Sequence, residues 1–221
     1  TYLARDPSLP AERIQYIIAD SQVACLILDS PSSQLKVTLP FVEISSIDSS
    51  ESKDFPAVSG NPVLCHIYTS GSNGRPKGVR ILKSAVLNRC HWMWQYYPFM
   101  GKEVCALKTT ISFVDHIWEF FGPLLKGQTL VLINKKEQTN LNQFVQKIAD
   151  QKVTRIVLVS SLLQLLLDHL SKKQLRLPHL KYWICSGEVL TRHLVDAFYQ
   201  QIPNSHLNNI YGSTEESADV T

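Results

Sequence analysis

The sequence predicts an α/β fold of mainly parallel sheets covered by helices. Three observations carry that expectation. Short apolar runs of strand type recur along the 221 residues, segments of helical periodicity stand between them, and a glycine-containing loop follows directly on one of the runs. Folds of this class place their ligands at the carboxyl ends of strands.

In order along the chain, Pro10 to Asp20 sets Ile14, Ile17 and Ile18 at helical spacing, and the apolar run Val23 to Leu28 follows as a strand. Ser45 to Gly60 is Ser-rich and acidic with Pro56, which predicts a solvated surface loop rather than a domain boundary. Val63 to Tyr68 resumes as a strand. Beyond the glycine-containing loop, Leu82 to Tyr97 has helical periodicity, Val104 to Leu107 is a strand, and Ile117 to Leu125 a helix ending near Lys126-Gly127. Thr129 to Ile133 is a buried-type strand. Leu141, Phe144, Val145 and Ile148 share one helical face, Arg155 to Val159 is a strand, and Ser160-Ser161 caps an apolar helix to about Leu170. Lys181 to Cys185 (strand), Leu190 to Gln201 (helix) and His206 to Tyr211 (strand) complete the alternation.

Composition narrows the function classes. At 44% hydrophobic and 19% charged residues the chain can bury a real core. Its net charge of +3 is scattered, with no basic run longer than Lys135-Lys136 or Lys172-Lys173, so a nucleic-acid or lipid footprint is excluded. No apolar stretch approaches the roughly 20 residues that span a bilayer and no signal-peptide pattern opens the chain, which predicts a soluble cytoplasmic protein with no membrane partner. Five widely spaced cysteines, mostly among apolar neighbours, predict buried thiols rather than disulfides or a metal site. Seven histidines show no paired metal-ligand spacing, and His116 is expected to pack in the core or at a rim. There is no G-x-S-x-G elbow, and Cys185 has no evident base nearby in sequence, which argues against a thiol hydrolase. The chain opens on Thr1 and stops at Thr221 in a polar segment, which predicts an internal piece of something longer.

The loop reads Thr69-Ser70-Gly71-Ser72-Asn73-Gly74-Arg75-Pro76-Lys77-Gly78. Glycines at 71, 74 and 78 permit positive-φ turns, so that successive N–H groups can converge on an anion. The hydroxyls of Thr69, Ser70 and Ser72 add donors and Lys77 adds a mobile cation, together a polyphosphate cradle. It is not the P-loop of NTPases, because no Gly-Lys-Ser/Thr follows Gly71 at the required spacing, and it does not open directly into an apolar helix as a dinucleotide fingerprint would. By composition alone a plain exposed Ser/Gly turn remains the alternative.

Tyr68 to Val79 (YTSGSNGRPKGV) resembles the YTSG-S/T-TG-x-PKG signature of the adenylate-forming superfamily, which includes acyl-CoA synthetases, luciferases and peptide-synthetase adenylation domains. Three further strings resemble that superfamily in the same order: Asp6 to Arg13 with Asp20, like the upstream DPxxPxxR…D segment; Ser186-Gly187-Glu188, like the GGE turn beside the nucleotide; and Asn209 to Glu215, like NxYGPTE. Asn73 stands where Thr is usual and Ser213 where Pro is usual. The resemblance covers nearly the whole chain. It implies part of the large N-terminal subdomain of an adenylate-forming enzyme, an ATP substrate, and Mg²⁺. Lys77, Thr214 and Glu215 are the implied catalytic set, with Glu215 on the metal because Mg²⁺ takes one or two carboxylates plus phosphate oxygens. Thr69, Ser70, Gly71, Ser72, Asn73, Gly74, Gly187, Glu188, Asn209, Tyr211 and Gly212 join Lys77 and Thr214 as implied ATP contacts, with Tyr211 a stacking platform for adenine.

Phe113 to Gly127 resembles the family's substrate-pocket segment. Members that activate α-amino acids carry Asp directly after this Phe, to pair with the α-ammonium; here that residue is Val114 and the acid comes next, as Asp115. The implied pocket is Val114, Asp115, Trp118, Val157, Ile184, Ser186, Ile210, Ala218 and Asp219, a set similar to that of β-alanine-activating domains. A β-amino acid holds its ammonium one methylene farther from the carboxylate, displaced by about 1.5 Å. The strings around LNRCHWMWQYYPF and NIYGSTEESADVT are likewise similar to β-alanyl-amine synthases, which load the activated acid on the phosphopantetheine thiol of a carrier domain in the same parent chain and pass it to an amine. A ligase of another carboxylic acid, or a non-catalytic nucleotide-binding fragment, is the alternative. The resemblance places a ribose-binding Asp and a small C-terminal subdomain with a catalytic Lys outside these residues, so the chain alone is expected not to make adenylate.

Overall fold

The computed structural model describes residues 1–3, 6, 9–29, 39–47, 60–71 and 75–219, the last by its backbone alone. The chain divides into two compact units, Thr1–Lys83 and Ser84–Thr221. The division does not fall in the Ser45 to Gly60 stretch, of which 48–59 lie outside the described residues.

The first unit runs β1 (Tyr2–Leu3), α1 (Ala11–Ser21), β2 (Leu26–Leu28), β3 (Phe41–Glu43), a 3-10 turn at Ile44–Ser46, β4 (Val63–Thr69) and β5 (Lys77–Leu82). Helix α1 forms as its periodicity predicts, burying Ile14, Ile17 and Ile18 and ending at Gln22 in the left-handed conformation. β1 lies parallel to β4, β2 parallel to β3, and β4 antiparallel to β5. The β4–β5 hairpin departs from expectation. Residues 77–82 read as loop and helix start, yet they pair with β4 from Thr69↔Lys77 to Cys65↔Ile81 and, across an irregularity between Val63 and Cys65, at Val63↔Leu82. Their exposure alternates, with Ile81 fully buried between exposed Arg80 and Leu82. That is the two-residue period of a strand, too short and too glycine-containing to stand out in sequence.

The second unit follows with α2 (Lys83–Tyr96), β6 (Val104–Leu107), α3 (Asp115–Leu124), β7 (Thr129–Leu132), α4 (Lys135–Thr139), α5 (Leu141–Asp150), β8 (Arg155–Leu158), α6 (Ser160–Lys173), β9 (Tyr182–Cys185), α7 (Arg192–Gln201) and β10 (His206–Asn209). A small ladder of β11 (Gly212–Ser213) and β12 (Ala218–Asp219) closes it around a 3-10 turn at Thr214–Glu216. Five strands form one wholly parallel sheet in the order β10-β9-β8-β6-β7, as expected of strands joined by helices. One face of that sheet offers Ala106, Ile156, Leu158, Trp183 and Cys185 to a core with Phe144, Leu163, Leu166, Leu167 and Phe198 from α5, α6 and α7.

Local chemistry explains where the helices begin. Asn134 and Glu137 form a capping box on α4, the Asn140 side chain accepts from the N–H groups of Asn142 and Gln143 at the start of α5, and Thr191 accepts from Leu194 N–H at the start of α7. Helix α6 differs. The predicted Ser160-Ser161 side-chain cap is not made; Glu188 makes it instead, accepting from the Ser161 N–H at 2.8 Å and the Ser161 hydroxyl at 3.1 Å. All five cysteines are free thiols, four buried and Cys25 exposed. Among the described residues no helix is long and apolar enough to cross a membrane.

Candidate active site

In the first unit the loop is a hairpin connection, Ser70 to Pro76, with Thr69 ending β4 and Lys77 and Gly78 opening β5. Ser72, Asn73 and Gly74 lie outside the described residues. Gly71 has φ +57°, and a Cβ there would collide with the Arg75 carbonyl, so only glycine fits. Gly78 packs under the Tyr68 ring, where a Cβ would come within 2.9 Å of Cζ. The Tyr68 hydroxyl in turn donates to Asp20 Oδ2 of α1 at 2.6 Å. Burial and this carboxylate push the Tyr68 phenol well above its ordinary value, so it stays a donor. Asp20 thereby anchors the residue preceding Thr69, a role the sequence pattern left unassigned. Lys77 and Ser70 are exposed.

The second unit carries its residues on strands β8 and β9, on the segments that follow β9 and β10, and on α3. Val157 pairs with Ile184, and Ile184 with Asn208; two residues on, Ser186 N–H donates to Leu158 O and Ile210 N–H to Cys185 O. Alternation therefore puts Val157, Ile184, Ser186 and Ile210 on one face, opposite the α5–α7 core. All four are at most 5% exposed. Trp118 of α3 is 3% exposed, its indole against Gly122, where a Cβ would collide with the ring. Val114 is buried just before α3, and Asp115 is half-buried as its first residue. The antiparallel ladder sets Ala218 beside Ser213 and Asp219 beside Gly212. Ala218 is buried at φ +92°, a strained conformation that its small side chain tolerates. Tyr211 is 72% exposed, Asn209 and Glu215 are exposed, and Thr214 is half-buried on the 3-10 turn. Gly187 has φ +81°, which turns the chain so that Glu188 reaches Ser161.

Two buried acids at this face were not singled out in the sequence. Glu119 of α3 is 2% exposed and accepts from the Lys108 and Thr109 N–H groups at 2.8 and 2.9 Å and from the Thr109 hydroxyl at 2.6 Å, fixing the turn after β6. Burial raises its carboxyl, while nearby Lys108 and these donors pull it down. Glu103 accepts from Arg155 Nε at 2.9 Å and Nη2 at 3.1 Å, and that guanidinium also donates to the Tyr97 and Pro98 carbonyls. Only a helical period, one turn of α3 before Gly122, could have flagged Glu119; the Glu103–Arg155 pair spans 52 residues and no local signal announces it. His116 packs as expected: it is buried, donates from Nδ1 to the Phe113 carbonyl at 2.6 Å, and burial lowers its pKa. Two cavities of about 200 and 230 Å³ lie at the opposite, amino-terminal edge of the sheet, lined around Leu177-Pro178, away from every predicted site residue.

A parallel α/β unit whose buried residues and exposed polar groups gather at the carboxyl ends of its strands is of the class that binds ligands there. The model of the AMP-binding enzyme family matches residues 1–221, and the chain belongs to that family. It is 33% identical to the β-alanyl-bioamine nonribosomal peptide synthetase ebony of Drosophila melanogaster over all of this chain and 27% of that protein. Among solved structures it superposes on the AMPPNP-bound form of the nonribosomal peptide synthetase FmoA3 with a TM-score of 0.86 at 21% identity, over 97% of this chain and 23% of that one. The Klebsiella oxytoca NpsA N-terminal subdomain gives 0.82 at 20% identity, over 98% of this chain and 54% of that one. The fold is that of the N-terminal subdomain of adenylate-forming enzymes, and the chain spans about a quarter of the length of its ebony relative.

Proposed function

We propose that this chain serves ATP-dependent activation of an amino acid, β-alanine, as an aminoacyl-adenylate. The acid's carboxylate attacks the α-phosphorus of ATP and pyrophosphate leaves; the phosphopantetheine thiol of a carrier domain then takes the acyl group with release of AMP, and an amine takes it from the thioester with release of the thiol. For the phosphates the proposed donors and charge are Thr69, Ser70, Gly71, Ser72, Asn73, Gly74 and Lys77; for the rest of the nucleotide the proposed contacts are the exposed Tyr211 ring with Asn209, Gly187, Glu188, Gly212 and Thr214. Catalysis of this kind is mostly positioning and charge neutralisation. Glu215, an exposed carboxylate on the 3-10 turn, fits a Mg²⁺ that takes its other ligands from phosphate and water. Such an ion would neutralise phosphate charge.

The observation that carries the substrate assignment is the buried, apolar Val114 followed by the half-buried acid Asp115 at the head of α3. An ammonium met by Asp115 rather than by residue 114 suits a β-amino acid, and ebony, a relative at 33% identity, is named a β-alanyl-bioamine nonribosomal peptide synthetase. Loss of a buried ammonium's partner costs about 3–5 kcal/mol, a selectivity change of about a hundredfold or more. The test is amino-acid-dependent ATP–pyrophosphate exchange by the full-length protein over a small panel of acids. β-Alanine should exceed α-alanine, and Asp115→Ala should lose the β-alanine signal; equal rates, or no loss in the variant, would overturn the substrate assignment. The coverage of 27% of ebony supports a further reading, that these residues are an internal part of the adenylation domain whose start and small C-terminal subdomain lie elsewhere in the protein. On that reading the 221 residues alone make no adenylate at a useful rate, and robust exchange by them would refute it.

A further inference from the structure

A column of stacked groups crosses the pocket face of the parallel sheet. It starts at His206 on edge strand β10, whose ring stacks on Tyr182 of β9 at 5.2 Å and 14°. The Arg155 guanidinium of β8 lies over the Tyr182 ring at 4.2 Å and over Phe99 at 4.8 Å. Phe99 lies parallel to Trp118 of α3, with centroids 6.2 Å apart and 6° between planes. Gly122, one helical turn beyond Trp118, leaves room for the indole, and its carbonyl accepts from Trp94 Nε1 at 3.0 Å. Arg155 cannot slide along this column, because Glu103 and the carbonyls of Tyr97 and Pro98 engage its guanidinium nitrogens. Of the implied pocket residues, Trp118 thus has an aromatic backing plate clamped by a buried ion pair.

We propose that Phe99, held by Arg155, is a positioning residue that sets the Trp118 ring in the wall of the acid pocket and so tunes which acid the protein accepts. This rests on the reading of Trp118 as pocket wall. Arg155 and Tyr182 belong to the same sheet face as Val157 and Ile184, so the column and the pocket share one rigid surface. Stacked and cation-held rings prefer a defined separation and tilt. Removing the Phe99 ring frees the indole to tilt toward the space it vacates, while the ATP-facing residues keep their support.

The experiment is a double-mutant cycle of Phe99→Leu and Trp118→Leu in the full-length protein, read as KM for amino acid, KM for ATP and kcat in pyrophosphate exchange, with the thermal midpoint followed alongside. Phe99→Leu retains apolar volume so that the chain folds. It should raise the amino-acid KM about tenfold, narrow the preference among acids of different size, and leave the ATP KM within about twofold. In the Trp118→Leu background the same change should do almost nothing, because there is no indole left to orient. Additive effects of the two changes, or a Phe99→Leu effect on kcat and midpoint with selectivity intact, would overturn the positioning role while leaving Trp118 in the pocket. An unchanged amino-acid KM in Trp118→Leu itself would remove Trp118 from the pocket, and the positioning role with it.

Discussion

Glu103→Ala is the substitution whose cost the structure fixes most closely. Glu103 and Arg155 are 4% and 2% exposed, joined by two charge-assisted hydrogen bonds of 2.9 and 3.1 Å, and Glu103 also accepts from the Met100 N–H at 2.9 Å. Truncation leaves a guanidinium in the interior with no counter-charge among these contacts. Such a loss costs about 3–5 kcal/mol. The Tyr97 and Pro98 carbonyls and the two flanking rings remain, so the lower end, about 3 kcal/mol, is expected. In thermal denaturation followed by circular dichroism this is a fall of about 10 °C in midpoint. The pair is also non-additive: Glu103→Leu with Arg155→Met removes both charges and should be less destabilised than Glu103→Ala alone. A single-mutant cost below about 1 kcal/mol, or a double-mutant cost equal to the sum of the singles, would refute the account of a dry, mutually dependent pair.

Gly71→Ala forces a side chain to φ +57° against the Arg75 carbonyl, a backbone cost of about 1–2 kcal/mol before the collision; the full-length protein should bind ATP at least about tenfold more weakly in a nucleotide-binding titration, and unchanged affinity would exclude the loop from phosphate binding. Burial holds the His116 imidazole below its ordinary value of 6.5, so the unfolded chain takes the proton first and stability falls as pH drops from that value toward the folded one. His116→Phe should flatten this part of a plot of urea midpoint against pH; an unchanged slope would assign it to other groups. Glu188→Ala removes the charged cap on α6 and should cost about 1 kcal/mol in chemical denaturation, whereas no loss would mean that the cap adds nothing to the stability of α6.

Elements with strong periodicity or apolar runs were legible in the sequence, and for a physical reason. Ile14, Ile17 and Ile18, or Phe144, Val145 and Ile148, bury one helical face wherever the chain goes, so the pattern survives packing. The parallel strands β6, β8 and β9 are buried on both faces and read as continuous apolar runs. β5 was not legible, because Lys77-Gly78-Val79-Arg80 is an exposed partner of β4 whose strand character comes from pairing, not from its own side chains. The α6 cap was misassigned for a similar reason. Ser160-Ser161 looks like a cap locally, but the carboxylate that bonds the exposed N–H arrives from 27 residues away, on the turn after the neighbouring strand. In the candidate site, sequence gave the residue types at strand ends, while the face they share followed only from register: Val157, Ile184, Ser186 and Ile210 fall together because β8, β9 and β10 pair without slippage.

Register also bears on Asp115. Successive residues at a helix start are separated by about 100° around the axis and about 1.5 Å along it, so an acid at 115 and an acid at 114 look in different directions even though one position separates them. Val114, buried, and Asp115, half-buried, already differ in exposure. Asp115 has a second use, however: an acid in the first turn of α3 stabilises the helix through the partial positive charge of its N-terminus, worth about 0.3–1 kcal/mol. The two roles separate in Asp115→Asn, which keeps shape and hydrogen-bonding capacity and removes the charge. As a helix-end acid alone, the residue would show a small stability loss and equal effects on every substrate. As the partner of a substrate ammonium, it should show the same small stability loss together with about a hundredfold fall in exchange with β-alanine and little change for a carboxylic acid that has no amine. A parallel fall for both acids would make Asp115 a structural residue of α3 and return the question of the ammonium's partner to Asp219.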